Sequence, residues 1–499
     1  MGRPTSGLFA RKPIEGLLKD IGSKDHLKRA LGPVALTALG VGATIGAGIF
    51  VLTGEAARND AGPSLVISFL LAGIGCGFAA LCYSELASMV PVAGSAYTYA
   101  YATLGELVAW VIGWDLILEW AIGSATVAVG WSKYLAALLH NQFGLVIDPR
   151  WLNSPWIFHK ESHSFVWNRV PESLADGTVI QVQPFINLPA LLIMLAITVI
   201  LVVGIRESAR FNAVMVILNL AVILLVIGLG SRYVSPANWR PFLHETNGWS
   251  GITLGAAHIF FAYIGFDAIS THAEEAKDPK RDLPIGILAS LLICTVLYVA
   301  AVAVLTGMVR YGKIDVNAPF ASAFQVHGAS WASGLISAAI VVGMTSSLLV
   351  GTLSQPRILL AMARDGLLPP GLFAAVHPRF QTPWKSTILV GVLVGVVAAL
   401  APLDFLADLV SVGTLFAFLI VCIAVWVLRV RRPKLDRPFR IPGLPLVAAG
   451  GILMNGGLIY RLGVDNWIRL VVWLALGLMI YFAYGRYHSH LRADAGPGA

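Results

Sequence analysis

Runs of about twenty apolar residues recur along most of this chain, and no other feature constrains its fold more. Backbone that crosses a bilayer must satisfy its own amides, so only helices and closed barrels can do it. A barrel would show short segments of alternating polarity, whereas these runs are continuous. The composition agrees: 57% of the 499 residues are hydrophobic and only 12% are charged, where a soluble chain carries about a quarter. The expected fold is an all-α polytopic membrane protein.

The runs predict about twelve spans, at residues 33–57, 63–90, 105–140, 187–204, 210–233, 249–274, 284–309, 331–364, 384–402, 405–428, 443–461 and 467–486. An even number puts both termini on one side. Residues 1–32 are basic and lack the apolar core of a signal peptide, so no cleaved leader is expected. With the N-terminus inside, most of the 35 Lys and Arg fall in inner segments, most densely in "RVRRPKLDRPFR" (Arg429 to Arg440). That predicts cytoplasmic termini, a short tail at 487–499 and residence in the inner or plasma membrane. The net charge of +8 is then a topology signal; it is spread over short loops rather than forming one nucleic-acid-binding face. Residues 140–188, polar and Trp-rich, are expected to form an external cap. The four cysteines lie in apolar runs with no CxxC pair, which indicates packing rather than disulfides or zinc.

Two spans are interrupted. "VGATIGAGIF" (Val41 to Phe50) places glycines at mid-span, where an unpaired amide is most costly. "FFAYIGFDAIS" (Phe260 to Ser270) places a glycine, then Asp267, in the sixth span. Five spans separate the two breaks. An odd number per repeat inverts the second repeat relative to the first, the pattern of an inverted-repeat transporter with one discontinuous helix in each half. The repeats are expected at 33–233 and 249–428, followed by two helices at 443–486.

The chemistry accounts for the glycines. Unwinding at Ile45 to Gly48 frees the amides of Gly46, Ala47 and Gly48 at the positive end of a half-helix, which suits a carboxylate. The half-helix that ends near Phe261 to Ile264 leaves carbonyls that suit an ammonium. Glycines four apart, such as Gly42 and Gly46, also let helices pack closely; two interruptions in corresponding positions favour the binding reading.

Asp115 and Glu119 in "GWDLILEWAIG" are one helical turn apart on one face. A carboxylate at membrane depth is costly unless paired or protonated. Asp115, nearer the span end, is expected to make a structural hydrogen bond, and Glu119 to be functional. Asp267 suits a helix N-cap as well as a binding role. His258 and His272 have no evident partner in the sequence.

The segments "IGAGIFVLTGEAA", "FAALCYSELASMVPVAGSAYTYAYATLGELVAWVIGWDLILE", "ESARFN", "FFAYIGFDAISTHAEEAKDPKRDLPIGI" and "PRILLAMARDGLLP" resemble the amino acid–polyamine–organocation (APC) superfamily. Within it, the chain is similar to the cationic amino acid transporters and their bacterial relatives. The resemblance runs from about Leu31 to the last span. It implies five helices plus five inverted helices plus two, with helices 1 and 6 broken, and alternating access to a central site. It implies that Ile45, Gly46, Ala47 and Gly48 bind the α-carboxylate, and that Phe261, Ala262 and Ile264 hold the α-amine. Glu119 and Asp267 correspond to the polar cluster near the site. Gly351 corresponds to a position facing the substrate side chain, although it also suits helix packing. Ala47 stands where some bacterial relatives have threonine. Asn219 stands where some proton-coupled relatives have a lysine, so a lysine relay is in doubt.

The expected function is secondary transport of L-amino acids, cationic ones first, with broad neutral specificity as the alternative. A non-transporting sensor on the same fold stays open. No metal-ligand spacing, nucleophile elbow or phosphate loop is present, so no enzymatic activity, metal or cofactor is expected. Expected partners are the amino acid, the lipid bilayer and, where transport is coupled, protons. No nucleic acid is expected, and a small membrane-protein partner stays open.

Overall fold

The computed structural model describes residues 7–12, 31–90, 95–159, 162–173, 179–203, 209–380 and 382–493. Most of the basic N-terminal segment, the first residues of "ESARFN" and the end of the C-terminal tail lie outside the described residues.

Among the described residues, twelve helical segments correspond to the twelve expected spans and are labelled here α1 to α12. α1 has a first half, Pro33–Thr44, and a second half over 48–61; α2 is Leu65–Met89, α3 is Glu106–Phe143, α4 is Leu188–Val203 and α5 is Ala209–Gly230. α6 runs as Gly248–His258, tightens into a 3₁₀ stretch at Ile259–Tyr263, breaks, and resumes at Asp267–Glu275. α7 is Pro279–Met308, α8 is Ser330–Arg364, α9 is Trp384–Leu400, α10 is Leu403–Arg431, α11 is Leu444–Arg461 and α12 starts with Val464–Ile480.

Eight described helices are long and apolar enough to cross a bilayer, one of them spanning Gly48–Met89. That stretch is two passes, because the chain turns at Gly62, with φ +60°, and Pro63. Three shorter apolar helices are the first half of α1, α4 and α9. The first half of α1 is short because it is half of a broken pass.

Local sequence sets the helix ends. Pro33 starts α1 behind Gly32, where a missing amide costs nothing. Gly144, in the left-handed region, closes α3 by donating its amide to His140 and Leu139. The second half of α1 carries wide π turns at Gly48–Leu52 and Ala57–Ala61. In the first of these, Tyr134 of α3 donates its hydroxyl to the Phe50 carbonyl at 2.7 Å.

The packing follows the repeat. α2 packs on α7, α3 on α8 and α4 on α9, so each of these helices lies against the one five passes later. Elements close to a two-fold axis in the membrane plane meet their own mates, and an inverted repeat has such an axis. The broken α1 and α6 cross at their interruptions, inside this frame.

The segment between α3 and α4 forms two antiparallel strand pairs among the described residues. β1 (Trp156–His159) pairs with β2 (Ser164–Trp167), and β3 (Val170–Ser173) with β4 (Val179–Val182). Trp156 and Trp167 stack across the first pair at 4.2 Å. The side of the protein that carries these strands is called the cap side below. All four cysteines are buried and free.

Candidate functional site

A cavity of about 60 Å³ lies where the two breaks meet α3 and α8. α1 lines it with Ala43, Thr44, Gly46, Ala47 and Gly48, and α6 with Phe261, Ile264 and Gly265. α3 contributes Glu119, Trp120, Gly123, Ser124 and Val127, and α8 contributes Ser347 and Gly351.

At the first break, Ile45 leaves the helix with ψ 103°, and its amide still donates to Val41. The amides of Gly46, Ala47 and Gly48 then open the second half, where the first N–H groups of a helix have no intrahelical acceptor. The carbonyls released on the other side are partnered from distant helices. Tyr298 of α7 donates to Thr44 O at 2.9 Å, and Ser347 of α8 to Ile45 O at 3.4 Å. Acceptors are therefore capped at this break while donors are left to the cavity.

At the second break, Ile264 is extended and Gly265 has φ +128°, a conformation that L side chains rarely adopt. The Asp267 carboxylate folds back to accept the Gly265 amide at 3.2 Å, and Ala268 N donates to Gly265 O at 3.1 Å. The N-cap expected of Asp267 is not formed: the residue at the cap position is Phe266 and no side chain caps the half-helix. One Asp267 oxygen instead accepts the amide that precedes the half-helix, and the other, buried, has no partner among the described residues.

The junction is tight in two places. A Cβ on Gly48 would run into the Cα of Ala262, and one on Gly265 would lie 2.6 Å from the Ala43 carbonyl carbon. The breaks are thus held against each other by glycine on backbone, which side chains at either position would prevent.

The expected site residues divide as follows. Gly46, Ala47, Gly48, Glu119, Phe261, Ile264 and Gly351 line the cavity. Ala262 is behind it, as the surface on which Gly48 rests. Ile45 is fully buried beside it and offers only a carbonyl shared with Ser347. The Phe261 carbonyl, expected to be free, accepts the Ile264 amide at 3.1 Å, because the chain tightens to 3₁₀ geometry before it breaks. Asn219 of α5 is not among the lining residues; its side chain is pressed against Gly343 of α8.

Both carboxylate oxygens of Glu119 are buried without a hydrogen-bond partner among the described residues. So are both oxygens of Asp115, which departs from the structural hydrogen bond expected there. Asp115 faces Gly413 of α10, which has no side chain to donate. An unpartnered carboxylate in this setting is costly until it meets a proton or a cationic group.

Several functional positions escaped the sequence reading. Tyr298 and Ser347 cap the first break, and Trp120, Ser124 and Val127 wall the cavity. A signal for some of them exists: Ser347 and Gly351 are four apart, as are Glu119 and Gly123, and Trp120 and Ser124, so each pair shares a helix face. Nothing local marks Tyr298.

Residues 31–484 match the family described as amino acid permease. The chain is 45% identical to the branched-chain amino acid permease of Bacillus subtilis over 487 residues, 97% of this chain and 99% of that protein. It is 43% identical to the methylthioribose transporter of the same organism over 488 residues, with the same coverage. It is 38% identical to the vacuolar cationic amino acid transporter 4 of Arabidopsis thaliana over 456 residues, 90% of this chain and 70% of that protein.

Proposed function

The chain belongs to the amino acid permease family of the APC superfamily, and on that premise we propose that it is a secondary carrier of free L-amino acids, cationic ones first, working by alternating access. One observation carries the reading: the donor-bearing end of the α1 break and the buried, unpartnered Glu119 face a single cavity. The open amides suit an α-carboxylate. The α-amine takes the α6 side, where Ile264 and Gly265 line the wall; Asp267 is behind that wall, not among the lining residues, with one oxygen unpartnered among the described residues.

Glu119 favours a cationic side chain, since a guanidinium or ammonium there would offset a buried charge that has no hydrogen-bond partner among the described residues. When the solute is neutral, a proton does the same, which makes Glu119 and Asp267 the groups for proton coupling. Asn219 does not titrate and packs away from the cavity. The protein would then lie in the cell membrane with both termini cytoplasmic, the arrangement the distribution of Lys and Arg supports.

A second reading, branched-chain solutes, is favoured by the apolar walls at Val127, Phe261 and Ile264 and by the similarity to a branched-chain amino acid permease. Counterflow in proteoliposomes decides between them. Labelled arginine, lysine, leucine and alanine are offered separately against each unlabelled amino acid inside. Arginine and lysine exchange supports the first reading, and leucine exchange without arginine exchange the second. Binding with no exchange of any of the four would identify a sensor instead.

A further inference from the structure

A second chamber lies on the cap side, with room of about 190 Å³. It is separate from the central cavity but built on two of the same helices. Val127 of α3 lines the central cavity, and Lys133, six residues on, lines the chamber. Gly48 of α1 lines the first and Glu55, seven residues on, lines the second. Val129, two residues from Val127, also lines the chamber, so the two spaces are stacked along α1 and α3. Between them Val51 fills the place a side chain on Gly130 would take, with its methyl 2.8 Å from that position, and Tyr134 bonds to Phe50.

The polar groups of the chamber fall into two kinds. Three of its four asparagines are committed to the scaffold: Asn153 donates to Pro149 O at 3.1 Å, Asn168 to Ser154 O at 2.9 Å, and Asn187 to Ser132 Oγ at 2.8 Å, while the side chain of Asn59 makes no hydrogen bond among the described residues. Its charged groups are not committed. Glu55, Lys133 and Asp404, each half-buried, make no hydrogen bond and no ion pair within 4 Å among the described residues, although they line one space. Two carboxylates and one ammonium held apart in this way leave a gap for a solute that carries both charges. The chamber's volume is about three times that of the central cavity.

We propose that this chamber is a second binding site for a free α-amino acid, held ahead of the central cavity, with its ammonium between Glu55 and Asp404 and its carboxylate on Lys133. The inference rests on the amino acid reading above. It extends that reading to a solute bound twice along one path, with the Val51–Gly130 contact as the partition between the two positions.

The test is binding stoichiometry in the purified full-length protein in nanodiscs, by equilibrium dialysis with tritiated leucine and, separately, tritiated lysine. The wild type is expected to bind two molecules of at least one probe. Glu55→Gln, Asp404→Asn and Lys133→Met should each reduce this to one, with the remaining affinity changed less than twofold, and Lys133→Arg should retain the second. Gly48→Leu should abolish the central site and leave the chamber's. Thermal unfolding of each variant confirms that it is folded. A wild type that binds a single molecule, lost in Gly48→Leu, overturns the chamber site and leaves the carrier reading standing. So does a stoichiometry of two that survives all three charge substitutions. No binding of either probe overturns both.

Discussion

Gly48 and Ala262 meet where α1 and α6 cross, so closely that a Cβ on Gly48 would run into the Cα of Ala262. The contact is repeated with the partners exchanged, since Gly265 of α6 rests on the backbone of Ala43 in α1. Each broken helix therefore supplies a glycine at which the other can approach, and this apposition places the free amides of α1 beside the α6 wall.

Gly48→Leu should eliminate uptake while the protein still expresses. The added side chain must push α6 aside and fill the carboxylate position. Overpacking against side chains costs about 1–3 kcal/mol, and here the clash is with backbone, so stability is expected to fall by at least that much. Uptake in proteoliposomes and a melting curve check it together. A folded variant with wild-type affinity would remove Gly48 from the site.

Gly265→Ala should lower both stability and transport. Its φ of +128° is strained for alanine, and its Cβ would lie 2.6 Å from the Ala43 carbonyl carbon. The expected loss is about 1–3 kcal/mol, read as a drop in Tm, with a larger fractional loss of uptake. Unchanged Tm and uptake would show that the α6 break relaxes without cost.

Glu119→Gln and Asp267→Asn should flatten the dependence of uptake on external pH, because the amide forms cannot exchange a proton as solvent access alternates. Asn219→Asp is not expected to create such a dependence, since that side chain is pressed against Gly343 outside the cavity. Initial rates between pH 5 and 8 read the outcome. Full pH dependence in both carboxylate variants would move the proton path elsewhere.

Gly351→Met should narrow the range of solutes. A Cβ at Gly351 would lie 2.9 Å from Ser124 Oγ and 4.0 Å from the Trp120 ring, so a longer side chain must extend into the cavity. Arginine uptake should fall roughly tenfold more than alanine uptake, a difference of about 1.4 kcal/mol. Equal losses for both would mark Gly351 as a packing residue.

Glu85→Ala should destabilise the side of the protein opposite the cap. Glu85, 1% exposed, is salt-bridged to Arg429 and, at 3.2 Å, to Arg437, and it accepts the Ile441 amide at 3.0 Å. Removing one member of a buried ionic cluster leaves the others uncompensated, a cost of about 3–5 kcal/mol. A Tm within a degree of wild type would show that the arginines find solvent instead. Nothing local in the sequence marks this cluster, because the partners of Glu85 are more than 340 positions away.

The same division runs through the rest of the protein. Spans, their number and the two interruptions were legible because each is a local property: apolar runs fix the passes, and glycine at mid-span fixes the breaks. Gly46 to Gly48 and Glu119 were found in this way and line the cavity. Asn219 was placed by the resemblance alone, and the packing of α5 on α8 turns it away from the cavity.

What the sequence could not decide is which freed backbone groups stay free. Tyr298 reaches Thr44 across 254 positions and Ser347 reaches Ile45 across 302, so the carbonyls of the first break are capped and its amides are not. The 3₁₀ tightening of α6 closes the Phe261 carbonyl that an ordinary half-helix would have left open. The charged chamber arises the same way, from Glu55, Lys133 and Asp404 on three different helices. Local pattern determines where a helix forms and where it fails; only the docking of distant helices determines what each failure faces, because hydrogen bonds and charges act over a few ångströms of space and not along the chain.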